Sequence, residues 1–492
     1  GVRKYLRPST MRAAMATARR YQPDRRDTVY QYNGRVRDPA NPTEPATGWT
    51  YVPQSESGRH FFANQTEDSA GGKIDWRQPF LQGSTDLALK LGGLINVKQR
   101  AFSARRFSYN ATAPTGVRDP MYTCIGEQYD LNCPSKLFAD ENVGSYLSLI
   151  EGSRDGDAYA ATLNIYAAYG MLDLDLSDRL RIAGGARVEW TEQRIDPLTP
   201  FGKTAANIRG ANLTAADVLP AVSLVYSASK ETKTRLAFGQ TLARPQVREL
   251  APFAFSDYFG GRIVTGNPDL ELTRISNFDV RFEYFPSLTE VLAVTTFYKH
   301  LDKPIEQVLI PTDGAPQVTY ANAKAANLIG VELEGRKNLG FLTAVLNDFS
   351  LQSNFTLSYS RTEVEQTGEL TITNPSRALI NQAPWVFNVA IDYLNEGGTS
   401  ARLAYNITGP TLIEVGTEGL PDAYQHPFNS LDFSVGQRFY EHWTARINVL
   451  NIINDDFVVT QGPQLNYDDE RGNVLRRFTA GTEAYLTLGY EL

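Results

Sequence analysis

Residues 266–338 read GNPDLELTRISNFDVRFEYFPSLTEVLAVTTFYKHLDKPIEQ, then a polar loop, then YANAKAANLIGVELEGRKN. Phe278, Val280, Phe282 and Tyr284 alternate with Asp279, Arg281 and Glu283. A period of two residues puts the apolar set on one face of a strand and the charged set on the other. Pro286 and Ser287 turn the chain, and the β-branched and aromatic return segment 291–298 runs into Lys299, His300, Asp302 and Lys303 before the long loop. The hairpin therefore has a short turn at one end and a long loop at the other.

That asymmetry repeats. Leu180, Ile182, Gly184, Ala186, Val188 and Trp190 lie opposite Arg181, Arg187 and Glu189, and a packed core does not hold such charges unpaired, so the second face is wet. In the segment before it, the apolar face is read as Ala161, Leu163, Ile165, Ala167, Tyr169 and Met171, with Thr162, Asn164, Tyr166 and Gly170 opposite. Similar units follow at 222–242, 330–361, 385–407 and 431–451, with a last strand at 482–492. The expectation is about fifteen strands of roughly 9 to 15 residues, with short turns on one rim and long loops on the other, the pattern of a transmembrane antiparallel β-barrel. The fold class is all-β. Sandwich strands are shorter, and a propeller would repeat sequence motifs from blade to blade.

Rings reinforce the reading. Tyr226, Tyr284, Phe285, Tyr393, Tyr440 and Trp443 sit beside the short turns, and Tyr169, Trp190, Tyr359 and Trp385 lie further along, as interfacial girdles do. An odd count of strands ending at the short-turn rim leads to the expectation of further strands upstream of Gly1, because single-chain bacterial barrels have an even number.

No run of about 18 apolar residues exists, so transmembrane helices are excluded, and the mean hydropathy of −0.33 agrees. With 4 His and 2 Cys against 25 Tyr and 24 Phe, and no GxSxG, P-loop or HExxH motif, the chain offers little for metal or nucleophilic catalysis. No enzyme activity, cofactor or resident metal is expected. A net charge of −7 gives no basic footprint for nucleic acid. Asp155 and Asp157 in DGD, and the stretch YDDERG at 467–472, are the candidates for a divalent cation, without a full EF-hand ligand set.

Residues 1–67 are expected to be an irregular extracellular or loop segment, basic at the start through Arg3, Lys4, Arg7 and Arg12, with the barrel at 68–492. The basic arm suits a solvated loop, lipopolysaccharide or nucleic acid in principle. Cys124 and Cys133 are close in sequence within CIGEQYDLNC, at a spacing unlike CxxC chemistry, which suits a local disulfide in an oxidising compartment and leaves free thiols as the alternative. The missing initial Met means a removed signal peptide or a start internal to a longer protein.

Six stretches carry a resemblance to a known family: TLARP at 241–245, the GNPDLELTRISNFDVRFEYF run, TTFYKHLDKPIEQ, YANAKAANLIGVELEGRK, NVLNIINDDF at 448–457, and the terminal YLTLGYEL. In order and spacing the chain resembles the C-terminal barrel portion of a TonB-dependent outer-membrane receptor. The resemblance implies a barrel of about 22 strands around a plug, with about fifteen strands present here, in the outer membrane of a Gram-negative bacterium. It implies a TonB energy-coupling partner acting through a plug, a lipid and lipopolysaccharide surround, and import of a scarce or bulky ligand such as a ferric siderophore, cobalamin or an oligosaccharide. A passive porin and a surface adhesin are the alternatives. Ligand contacts are expected at Arg244, Arg248, Phe253, Phe255, Asp257, Tyr258, Phe259 and Arg262, where rings and charges mix in one long loop, although packing against neighbouring loops is the competing reading. Asp279, Arg281 and Glu283 are expected to face the lumen.

Overall fold

The computed structural model describes residues 10–37, 45–52, 57–81, 86–112, 122–125, 133–256, 261–312, 316–365, 372–440, 442–462 and 473–490. Its main sheet has 18 strands, two of them the short Leu147–Glu151 and Ser376–Arg377. The other sixteen form the wall: β1 Thr10–Asp27, β2 Arg59–Leu81, β3 Asp86–Ala111, β4 Ala158–Ser177, β5 Leu180–Leu198, β6 Ala211–Ser227, β7 Thr232–Ala243, β8 Thr273–Tyr284, β9 Val291–Asp302, β10 Ala325–Asn338, β11 Phe349–Glu363, β12 Trp385–Leu394, β13 Thr399–Thr408, β14 Phe428–Phe439, β15 Trp443–Leu450 and β16 Glu483–Tyr490. Each pairs antiparallel with the next in sequence, from β1 with β2 to β15 with β16. Seven connections at one rim are short and eight at the other are long, so the asymmetry read in one hairpin holds along the wall.

The two faces differ as lipid and water demand. On β8, Phe278, Val280, Phe282 and Tyr284 are 42 to 48% exposed, and Phe278 pairs with Phe238 on β7 and Tyr298 on β9 to continue the apolar surface. Leu236, Leu292, Val294, Ile329, Leu333, Leu357, Ile391, Leu403, Ile447, Leu486 and Leu488 extend it. The opposite face is ion-paired: Lys90 and Arg181 both reach Asp173 at 2.8 Å, and Arg402 reaches Asp392 at 3.1 Å. Lipid-facing side chains that alternate with charged partners on the second face define a membrane barrel wall.

Three expectations need correction. Residues 1–67 are not all irregular, and the boundary at 68 falls inside a strand: β1 pairs with β2 from Thr10↔Asp75 to Asp27↔Arg59. The Ala-rich segment lacks a bulky alternation, but Met11, Met15 and Tyr21 do share one face, at 81, 90 and 67% exposure. With β1 included the wall has sixteen strands among the described residues, one more than the odd number of about fifteen, so the parity argument for strands before Gly1 loses its premise.

The third correction is the face of β4. The register Tyr166↔Trp190 and Ala168↔Val188 puts the even-numbered residues with the lipid face of β5, and Tyr166 and Leu172 are 40 and 52% exposed. Ala161 to Met171, odd numbers only, therefore share the face of Arg187 and Glu189. Tyr169 is there too and is no girdle residue. Its ring covers the bare Cα of Gly92, where an added Cβ would lie 2.3 Å from the ring, and its hydroxyl donates to Asp75 at 2.6 Å. Small and moderately apolar side chains on both faces left nothing in the segment itself to break the tie.

The faces make opposite demands on substitution. Val280→Lys is expected to cost about 2 to 4 kcal/mol, as a cation near the middle of a lipid-facing strand does, whereas Arg281→Gln leaves the barrel folded. The heat-dependent gel mobility of the folded protein in detergent or lipid checks both.

Candidate functional site

The segment after β7, residues 244–272, packs back onto the polar face. Pro245 lacks the N–H that a continued ladder needs, and the chain turns through a single helical turn, Val247–Leu250. Leu250 and Phe253, 0 and 9% exposed, then pack with Ala251 and Leu270 against Phe61 on β2, Phe102 on β3, Tyr159 on β4, Ile195 on β5 and Ala211 on β6. The Phe253 and Phe102 rings meet edge to face at 4.6 Å. Burying a Leu or Phe side chain stabilises by about 1.5 to 3 kcal/mol, so these two anchors hold the segment in place.

Charge completes the attachment. Arg106 on β3 lies 5.2 and 5.0 Å from the ring centres of Phe61 and Phe253. Its Nε donates to Asp157 at 3.0 Å, and its Nη2 donates to the Ala254 carbonyl. Arg244 pairs with Glu189 of β5 and donates to Thr191 Oγ1 at 3.0 Å. Gln193 Nε2 donates to the Pro245 carbonyl at 2.9 Å. The far end of the segment joins the outer hairpin Ile305–Ile310 and Gln317–Asn322 through Val318 N to Ile263 O at 2.8 Å and Asn267 Nδ2 to Tyr320 O at 2.9 Å. Arg25 of β1 donates to the Ser256 carbonyl at 2.9 Å, so the first strand of the wall also contributes to the brace.

Of the expected ligand residues, Arg244, Arg248, Phe253, Phe255 and Arg262 lie in this segment. Asp257, Tyr258 and Phe259 fall outside the described residues. Arg244 is engaged with β5 and Phe253 is buried, so both position the segment. Arg262 Nε pairs with Glu414 Oε2 at 2.8 Å, tying the segment to the loop strand Thr411–Glu414. Arg248 is exposed, with its guanidinium carbon 3.3 Å from the ring centre of Phe255, which leaves a cation on a ring at the surface.

Asp279, Arg281 and Glu283 lie elsewhere, on the polar face of β8 toward the short-turn rim. Arg281 bonds Glu283 at 2.9 Å, Glu334 at 2.5 Å and Thr295 Oγ1 at 2.9 Å, and Arg235 reaches Glu283 at 2.7 Å. Asp279 stands one pleat further on, beside Ala237 and Phe297.

The sequence reading missed Arg106, Glu189 and Gln193 as positioning residues. The clue was the length of β3, 26 residues, which carries its basic end far past a bilayer of strands about 9 to 11 residues long. Asp157, considered for a cation, is instead held by Arg106 and by the Arg154 N–H at 2.8 Å. The YDDERG stretch and the side chains of Cys124 and Cys133 lie outside the described residues.

Two expectations test the brace. At Gly266 a Cβ would stand 2.3 Å from the Ala251 carbonyl oxygen and 2.7 Å from its nitrogen, backbone atoms that cannot swing aside. Gly266→Ala is thus expected to loosen the segment by about 1 to 3 kcal/mol, seen as new protease cleavage within 244–272 in an otherwise folded barrel. Burial raises the Glu249 carboxyl above its ordinary value, against the Gln246 N–H that donates to it at 2.8 Å and favours the charged form. A carboxyl raised on folding holds its proton more tightly in the folded segment, so stability is greatest below the ordinary carboxylate range and falls as pH rises through the raised value. Hydrogen exchange at the Ala251 and Gly266 amides should quicken over that window, and Glu249→Gln should remove the dependence.

Similarity to known proteins agrees with the geometry. Residues 9–452 match the family described as TonB dependent receptor-like, beta-barrel. Among solved structures, the chain is similar to the ferric-catecholate import receptor Fiu from K12 E. coli, with a TM-score of 0.60 and 13% identity over 98% of this chain and 62% of that one. It is also similar to the unliganded ferric citrate transporter FecA, with a TM-score of 0.57 and 11% identity over 90% of this chain and 57% of that one. The siderophore receptor PiuA from Acinetobacter baumannii gives a TM-score of 0.57 and 11% identity, over 90% of this chain and 60% of that one. This chain thus spans 57 to 62% of the length of these structures. No curated protein matches it in sequence. The wall, its lipid face and the family match lead to one conclusion: the chain belongs to the TonB-dependent receptor β-barrel family of the Gram-negative outer membrane.

Proposed function

We propose that this chain forms the barrel of a receptor that imports a specific scarce or bulky ligand, with a ferric siderophore favoured over cobalamin or an oligosaccharide, using energy delivered by TonB. The observation that carries the reading is the braced segment 244–272. It is anchored by Leu250 and Phe253 on the polar face and sets the exposed Arg248 over the half-buried Phe255 ring at the long-loop end. A cation on a ring suits an anionic ligand that also carries aromatic groups, which ferric siderophores of the catecholate class do. The ferric-catecholate import receptor and the ferric citrate transporter share this fold, and the proposal carries over from them only the broad class of ferric chelates.

In this reading the polar face lines the lumen, with Asp279, Arg281 and Glu283 on its wall, and a plug domain carries the TonB contact. Phospholipid meets the apolar face, and lipopolysaccharide surrounds the outer rim. No catalytic step is involved: binding at the outer loops, release into the lumen and exit to the periplasm are conformational events.

Uptake of radiolabelled ferric siderophores by cells expressing the full receptor tests this. Import is expected to be abolished by loss of TonB, and Arg248→Ala is expected to weaken ligand binding while expression stays unchanged. Import that persists without TonB would return the passive-porin reading, and surface binding with no import would return the adhesin reading.

A further inference from the structure

Among the short connections, the one between β10 and β11 stands apart. Residues 339–348 form two successive 3-10 turns, Leu339–Phe341 and Ala344–Leu346. Asn338 holds them: its Oδ1 accepts from Gly340 N at 2.8 Å and its Nδ2 donates to the Asn347 carbonyl at 2.6 Å. Yet this ordered connection leaves Phe341, Leu342 and Val345 65, 63 and 82% exposed. The turn between β12 and β13, by contrast, is Asn395, Glu396, Gly397 and Gly398. Large apolar side chains clustered on one ordered connection mark an interaction surface.

Its position decides the partner. The Lys337 ammonium lies 5.5 Å from the Phe341 ring centre, and by alternation Lys337 belongs to the same face of β10 as Ile329, Val331 and Leu333, which are 56, 37 and 46% exposed. Phe341 is therefore on the lipid side of the wall. Phe349 on β11 and Tyr393 on β12, with ring centres 4.8 Å apart, continue the aromatic rim. The patch is continuous with the surface that already meets lipid, and beside its ring the Lys337 ammonium pairs with Glu290 at 2.9 Å, an aromatic and polar mixture of the kind that interfacial segments carry.

We propose that residues 339–348 are a membrane-interface anchor that inserts Phe341, Leu342 and Val345 into the boundary between headgroups and acyl chains of the periplasmic leaflet, with the Lys337–Glu290 ion pair at headgroup level. Short turns face the periplasm in barrels of this type. An apolar patch beside a cation lies in that boundary rather than across the bilayer.

The test is a tryptophan reporter. Val345→Trp protein is folded into phosphatidylcholine and phosphatidylglycerol vesicles, its folded state is verified by heat-dependent gel mobility, and its emission is compared with that of the parent. The emission added by the new ring is expected to be blue-shifted and largely lost when the vesicles contain phospholipid with a nitroxide near the top of the acyl chain. Water-like emission quenched by iodide overturns the anchor. Blue-shifted emission that lipid nitroxides leave intact also overturns it, since a protein surface would then cover the patch. If Val345→Trp does not fold, Leu342→Trp carries the same reading.

Discussion

Inside a bilayer no water is present to pair with backbone N–H and C=O groups, and every other feature of this chain depends on that constraint. The wall answers it with one uninterrupted run of neighbouring antiparallel ladders, β1 through β16. Because the ladder supplies the hydrogen bonds, side chains are free to satisfy two solvents at once, with apolar groups outward and charged groups on the other face. The result inverts a soluble core: on β8, Phe278 and Val280 are among the more exposed residues while Glu283 is 6% exposed.

A charged inner face brings its own cost, since carboxylates and guanidiniums drawn toward each other lose water. The wall meets part of this with shared partners beside simple pairs such as Arg402–Asp392. Arg281 serves Glu283, Glu334 and Thr295, and Asp173 serves Lys90 and Arg181. At the long-loop end the same face is covered instead by protein. There segment 244–272 replaces water with Leu250 and Phe253 and engages the wall's charges, Glu189 through Arg244 and Arg106 through the Ala254 carbonyl. Function is proposed to begin at that brace, because it is where protein packs onto the polar face and where the Arg248 guanidinium stacks on the Phe255 ring.

The strands that were legible were those with charge on one face and bulk on the other. β8 and β5 declare their faces residue by residue. β4 does not: Leu163, Ile165 and Met171 are as apolar as Leu172 and Leu174, and only pairing with β5 assigns them. β1 was unreadable for a related reason, since alanines and two methionines form a weak alternation that only its ladder with β2 reveals. The candidate ligand loop was found from its mixture of rings and arginines, but which of them anchor and which are displayed was not readable there.

By itself, then, the sequence determined the period-two pattern, the inequality of the two rims, the absence of a long apolar helix and the family motifs, because each is written in neighbouring residues. The tertiary structure decided the membership of β1, the outward face of β4, the pairing of Arg244 with Glu189 and of Arg106 with Asp157, and the lipid-side position of Phe341. Those depend on register between segments tens of residues apart, and a shift of one residue in register would send every side chain of a strand to the opposite solvent.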